Sequence, residues 1–514
     1  VFFCKVIARK AKDVFEGRSA GILLPISSLP SDGPIGDFGQ EAYDFLKFLE
    51  QAGQRWWQIL PLNPLNPVGS PYASTSSFAI ETAYLNIERA FQACGMPSTE
   101  EHLLGLSEPG LKSKAVDYEK LWEYKIRALE SLLCHIFSAR QRGFEDFTLY
   151  KQQKASWLDD FALFEALRGH YRTSDWSLWP KELRDREIKA IAEARRAFSE
   201  QIEHIKCLQY LLEKQWQSIR QKAKDHGVFI LGDMPFYVSL RSADVWAHQD
   251  LFLLDAASRR ANLVAGVPPD AFNPEGQKWG NALFNWPALK DQGFSWWLAR
   301  VGRQLELFDA LRLDHFIGFY RSWHVAQSAP DAKSGSWDYA PGRDLLKALQ
   351  LAYPAMPFVA EDLGSVTTEV IQLRDEFKLP GMRVMQFGFG AGGVSERLHL
   401  PHYYVKNCLA YTGTHDNNTC KGWMQQLKKE RSLSRLLDYI DANQSRACQK
   451  IIRTLYASVA NTVIIPLQDI LGLDAHARLN TPGQEYGNWQ WRLGDLRYEW
   501  QSDSLCHLAR ITDR

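Results

Sequence analysis

Residues 310 to 319 read ALRLDHFIGF, a β-type run in which an arginine and an aspartate stand two positions apart. On a strand, residues i and i+2 share a face, so Arg312 and Asp314 point one way while Leu311 and Leu313 point the other. The spacing fits a structural ion pair, the commoner case, and it also fits a carboxylate kept charged by a guanidinium. Three other apolar runs end on acids. Asp233 lies in LGDMPF, Glu361 in VAEDL, and Asp416 follows His415 in GTHDN. Four acids at four strand ends are costly as pure structure, because buried carboxylates need partners and like charges repel. Paired acids beside an arginine and a histidine suit glycoside chemistry, in which one carboxylate attacks and another delivers a proton.

Such groups need a frame that brings strand ends together. Eight β-type runs are visible, beginning at Gly21, Trp56, Val228, Ala310, Pro357, Met382, Leu409 and Asn461. Near-continuous apolar stretches of this kind are what buried parallel strands look like. Helical stripes lie between them: Ala42, Phe45, Leu46 and Leu49 behind Asp37 as N-cap; Leu208, Leu211, Leu212 and Ile219; Val370, Leu373 and Phe377. The alternation predicts an α/β fold, a (β/α)₈ TIM barrel, whose C-terminal strand ends carry the site. Residues 1–19 read as an N-terminal extension and 20–514 as the catalytic barrel, with insertions at about 86–202 and 237–305 forming subdomains on the catalytic face.

The chain balances 60 Lys+Arg against 60 Asp+Glu, which removes the electrostatic case for nucleic-acid or anionic-membrane binding. No apolar run reaches the length of a membrane span, and VFFCKVIARKAKDVF lacks a secretory core. The eight cysteines are scattered without C-x-x-C spacing, which argues against zinc and suits a reducing, cytoplasmic compartment. Many of the 18 tryptophans sit beside polar residues, as in RWWQ, KWGN, SWWL and NWQW. Flat rings beside amides suit sugars, although core or interface packing is the better explanation for any single one of them. The stretch GFGAGG (388–393) fits a dinucleotide fingerprint, but Pro401 soon interrupts the segment after it, so it reads as a barrel loop. His399, His402 and His415 lack metal-ligand spacing, and neither a metal nor a cofactor is expected.

Taken in order, GILLPISSLPSDGPIGDFG, WWQILPLNP, GSPYASTSSFA, GDMPFYV, GVPPDAF, GQKWGN, LRLDHFIGF, VAEDLG, YTGTHDNNT and NTPGQEYGNWQWRL resemble the amylomaltases. These are 4-α-glucanotransferases, also called disproportionating enzymes, a barrel family related to the α-amylases. The resemblance runs from about Ala20 to Leu493. It implies transfer of α-1,4-glucan segments to the 4-hydroxyl of another glucan or glucose, with maltooligosaccharides as ligands. It implies Asp314 as nucleophile, Glu361 as general acid/base and Asp416 as transition-state stabiliser, supported by Arg312 and His415. For a retaining pair, the carboxyl groups should lie about 5–5.5 Å apart.

On that reading Asp233 also belongs to the substrate site, and Ser70 and Tyr72 form the wall beside the cleaved bond. The 265–285 loop, with Asp270, Phe272, Gln277 and Trp279, would hold the acceptor. The chain departs from the family pattern at Ile317, Ala282, Phe284 and Asn418, positions that bear on acceptor-loop shape and chain-length preference. An α-glucan hydrolase on the same scaffold would use the same acids, and a non-catalytic glucan-binding protein would not need them. Oligomeric state is not legible in the sequence.

Overall fold

The computed structural model describes residues 14–94, 115–138, 145–269, 273–390, 394–495 and 499–514. Eight parallel strands close a barrel, and each of the eight apolar runs supplies one of them. They are β1 (Ser19–Leu23), β2 (Trp56–Gln58), β3 (Phe229–Met234), β4 (Ala310–Leu313), β5 (Phe358–Ala360), β6 (Gly381–Val384), β7 (Cys408–Tyr411) and β8 (Thr462–Pro466). Each pairs with the next in sequence, and β8 closes on β1 with Thr462 opposite Ser19. The TIM barrel expected from the alternation is therefore the fold.

The strands are buried on both faces, which is why they read as unbroken apolar runs. Close approach of β1 and β2 requires a glycine: a Cβ on Gly21 would stand 2.3 Å from the Cβ of Trp56. Helices cover the barrel with the stripes read from sequence. Helix Gln40–Gln51 buries Ala42, Phe45, Leu46 and Leu49, and helix Ser199–Asp225 buries Leu208, Leu211, Leu212 and Ile219. Helix Thr368–Glu376 buries Val370 and Leu373 and ends at Phe377. Asp37 does not cap the first of these. Gly39 is its N-cap, and Asp37 Oδ1 instead accepts the Gly39 N–H at 2.9 Å and Asn86 Nδ2 at 3.1 Å, bracing the turn before the helix.

Two departures from plain barrel alternation interrupt the strand sequence. Between β2 and β3 lie helices that include Tyr118–Ser138 and Glu145–Tyr171. Between β3 and β5, short segments form an antiparallel sheet in the order Gly335–Tyr339, Arg321–Ala326, Leu263–Val267, Gln277–Lys278. The tryptophans divide. Trp56 and Trp57 of RWWQ, and Trp296 and Trp297 of SWWL, are core residues, so their polar neighbours carried no message about sugars. In KWGN, Trp279 keeps 37% of its surface exposed. Among the described residues, no helix is long and apolar enough to cross a membrane.

Candidate active site

Ala360 pairs with Leu313 across β5 and β4, so Asp314 and Glu361 leave neighbouring strands at the same end. Adjacent strands lie about 4.8 Å apart, a spacing that suits two groups acting on one bond. Main-chain bonds lock this junction: the Glu361 N–H donates to Leu313 O, and the Phe316 N–H to Glu361 O, both at 3.1 Å. On the other side of β4, Asp233 of β3 stands in register with Arg312.

Arg312 serves both neighbours. Its Nη1 lies 2.8 Å from each carboxylate oxygen of Asp233 and 2.8 Å from Asp314 Oδ1. Asp233 is fully buried and Arg312 is 4% exposed, whereas the Asp314 side chain keeps 26%. Asp314 is thus the member of the trio open to a ligand. Burial raises the Asp233 carboxyl above its ordinary range, against the pull of Arg312. Burial also works against the guanidinium charge, yet Asp233 and then Asp314 outweigh it and hold Arg312 well above its usual value.

The network continues through Tyr72, whose hydroxyl donates to Asp233 Oδ2 at 2.8 Å and lies 2.9 Å from His415 Nε2. Burial, reinforced by the Asp233 charge, raises the phenol far above its ordinary value and keeps it a donor. The Tyr72 and His415 rings stack, with centroids 5.4 Å apart and planes 16° from parallel, and Trp489 lies against both. His415 Nε2 is 3.4 Å from Asp416 Oδ1. Asn480 Nδ2 donates to the same oxygen at 2.6 Å, and Arg478 Nη2 to the Asp416 carbonyl at 2.7 Å. The Asp416 side chain remains 42% exposed, so it too can meet a ligand.

Glu361 has a different setting. Burial raises its carboxyl well above the ordinary range, Arg312 draws it back, and Asp314 pushes it up again. The His315 N–H donates to its Oε2 at 2.8 Å and the Leu363 N–H to its Oε1 at 3.2 Å, fixing the orientation. His315 achieves this from a left-handed backbone, φ 48°, a conformation that costs a non-glycine residue about 1–3 kcal/mol. Below Glu361, buried Asp362 binds Arg374 Nη1, Arg383 Nη1 at 3.2 Å and the Met382 N–H at 2.7 Å, tying β5 to β6. Asp362→Ala leaves two buried guanidinium groups without this partner and is expected to cost about 3–5 kcal/mol, read by denaturant unfolding. Asp362→Asn, which keeps hydrogen-bonding capacity, should cost less.

The remaining candidates fall in other places. Ser70 turns into its own loop, accepting the Tyr72 N–H on Oγ at 3.3 Å while Asn66 Oδ1 takes its N–H at 2.8 Å. It shapes the Tyr72 loop and is not joined to the carboxylates. Gln277 and Trp279 are bonded to each other, indole Nε1 to Gln277 Oε1 at 3.2 Å, and the Trp279 ring meets His315 edge-on at 4.9 Å. Asp270 and Phe272 lie outside the described residues. His399 accepts the Val384 N–H, His402 pairs with the Tyr439 hydroxyl, and His415 faces Tyr72, three separate environments.

The four departures from the family pattern have different surroundings. Phe284, Ile317 and Ala282 are buried, Phe284 among Phe236, Trp286 and Trp297. Asn418 binds the Thr419 N–H and Gln426, beside the next helix.

Local sequence pattern does not single out Asn480 or His315, and it marks Trp489 only as one tryptophan of NWQW. All three stand in stretches that carry the family resemblance, but their partners lie across the barrel or beyond the next strand. Tyr118 belongs with them. Its ring packs on Gly69, where a Cβ would lie 2.0 Å from Tyr118 Cζ, and its hydroxyl donates to Trp489 O at 2.7 Å. The helical insertion thereby braces the Tyr72 and Trp489 loops together. At φ 87°, Gly69→Ala meets both the ring and an unfavourable backbone, and should cost on the order of 1–3 kcal/mol in chemical denaturation.

Paired carboxylates on adjacent strand ends, one bridged to an arginine and one raised by burial, define a carbohydrate-active barrel enzyme. A family model described as 4-alpha-glucanotransferase, glycoside hydrolase family 77, matches residues 24–497. The chain is 40% identical to the 4-alpha-glucanotransferase of Thermus thermophilus over 507 residues, spanning 97% of this chain and 99% of the relative. It is likewise 40% identical to the Aquifex aeolicus enzyme over 483 residues, 93% and 95% of the two chains. Amylomaltase from Streptococcus agalactiae, solved in complex with acarbose, matches with a TM-score of 0.91 at 34% identity, covering 97% of this chain and 99% of that one. The chain belongs to this family of 4-α-glucanotransferases, which act on α-1,4-glucans.

Proposed function

We propose that the transfer proceeds by double displacement, with Asp314 attacking the anomeric carbon of an α-1,4-linked donor while Glu361 protonates the departing 4-oxygen. A covalent glycosyl-enzyme on Asp314 forms and the glycosidic bond breaks. Glu361, now a carboxylate, takes the proton of an acceptor 4-hydroxyl as that oxygen displaces Asp314, so the α configuration is restored. The observation that carries this reading is the asymmetry of the pair: Asp314 faces Arg312 at 2.8 Å, and burial raises Glu361. Asp416, braced by Asn480 and His415, holds ring hydroxyls that bind more strongly as oxocarbenium character develops. Tyr72 stacks beside the donor ring, and Asp233 keeps Arg312 and Tyr72 in place. Gln277 and Trp279 present the acceptor. The acarbose bound to the Streptococcus enzyme supports maltooligosaccharides as ligands of this cleft.

The seven cysteines among the described residues are free thiols, which supports work in a reducing, cytoplasmic compartment. The barrel unit is proposed to span 19–514, one residue more than the expected 20–514, because Ser19 already pairs with Thr462 in β1.

Incubation with maltotriose alone tests the reading. A ladder of longer oligomers together with glucose or maltose, without growth in reducing ends, is expected. Shortening with rising reducing ends would make the protein a hydrolase on the same scaffold. Binding without any product would make it a glucan-binding protein.

A further inference from the structure

We propose that His315 is a positioning residue that sets whether a sugar or water receives the glycosyl group. The inference deepens the double-displacement reading and rests on it. His315 touches both halves of the acceptor step. Its main-chain N–H holds Glu361 Oε2 at 2.8 Å, and its ring lies edge-on to Trp279, with centroids 4.9 Å apart and planes at 85°. Tyr237 completes the support, 5.8 Å from His315 and 6.0 Å from Trp279. Among the described residues, the indole N–H of Trp279 bonds within its own segment, to Gln277. The Trp279 main chain is held by its N–H to Ala265 O at 3.0 Å, and its partly exposed ring leans on Tyr237 and His315, of which His315 is the one tied to the acid/base.

The backbone sharpens the argument. At φ 48° a glycine would hold the turn with less strain, so a residue with a ring there points to a use for the ring. Among the described residues its buried Nε2 has no hydrogen-bond partner, and burial pushes the imidazole down to about 4, so a neutral plate supports Trp279 at neutral pH. His315 thus links the group that deprotonates the acceptor to the surface that carries it. Transfer needs the sugar hydroxyl to reach Glu361 before water does, and a small displacement of the platform favours water.

The test uses the full chain with α-maltotriosyl fluoride as donor and glucose as acceptor. Fluoride release reports donor cleavage, and chromatography reports the share ending on water. His315→Gly keeps the turn and the N–H but removes the ring; His315→Asn suits the left-handed turn and decides the matter should the glycine variant fail to fold. Both should release fluoride within about three-fold of wild type, while the water share and the glucose KM each rise roughly ten-fold, inside the range that a misplaced contact can cost. An unchanged partition and unchanged glucose KM overturn the proposal. So does collapse of fluoride release in both variants at an unaltered melting temperature, because the ring would then serve donor cleavage. Wild-type protein that places the maltotriosyl group only on water would instead fail the transferase reading, a result separate from any effect of His315.

Discussion

Glu361→Gln lowers turnover of maltotriose on the order of 10²–10⁴-fold while leaving glucan binding intact. Glutamine can neither protonate the departing oxygen nor deprotonate the acceptor, so both half-reactions lose their proton carrier. The wild-type profile carries a signature that the variant should lack. Burial, and then the Asp314 charge, raise the Glu361 carboxyl well above the ordinary range against the pull of Arg312. The protonated acid is the competent form for donor cleavage, so kcat/KM holds on the acidic side of that raised pKa and falls as pH rises through it. This limb belongs to the coupled pair, and it should vanish in the glutamine variant. An activated donor separates the two steps. A fluoride leaves with little help from an acid, so α-maltotriosyl fluoride should still load Glu361→Gln, whose missing base then slows release. Mass spectrometry should find the sugar on the peptide that contains Asp314. Undiminished turnover of maltotriose, or an adduct on another residue, would refute the assignment.

Asp314→Asn should abolish transfer more completely, by on the order of 10⁴-fold or more, since no covalent intermediate can form. The structure adds a second expectation. Arg312 keeps its contacts to Asp233 without Asp314, so the buried pair stays intact and thermal unfolding should change little. Glu361 loses the negative neighbour that helps raise it, and its pKa should fall toward the ordinary range. Infrared titration of the carboxyl groups would follow this directly. An inactive variant with a lowered Glu361 pKa and a native melting curve fits the mechanism. Retained transfer, or a melting temperature that collapses, would mean that Asp314 is chiefly the structural ion pair that the spacing alone also allowed.

The barrel was legible because buried parallel strands have no polar face to show, and each therefore appears as a nearly unbroken apolar run. The strand-end acids were legible for the converse reason: a carboxylate at the end of such a run, as in VAEDL or RLDHF, has to be explained by partners or by work. Strand periodicity was also enough to put Arg312 and Asp314 on one face. It could not show that Arg312 reaches Asp233 as well, since that contact depends on β3 and β4 lying in register. Local pattern failed wherever the partner was distant. Asn480 holds Asp416 from 64 positions away, and Tyr72 reaches His415 across 343. Neither hydrogen bond leaves a trace in the residues around it. The tryptophans of RWWQ and SWWL had polar neighbours because Arg55 stands exposed just before the strand, Gln58 is buried within it and Ser295 opens the helix, and only packing revealed those rings as core. Asp37 looked like a helix cap, yet backbone geometry gave that place to Gly39. The left-handed turn at His315 likewise depends on junctions with β5 and with the loop that carries Trp279. Composition and periodicity determined the barrel and the identity of its acids, because these depend on burial and local alternation. The tertiary structure alone decided which acids meet the arginine, which is raised by burial and which ring meets Trp279, because each of these is a matter of distance between segments far apart in the chain.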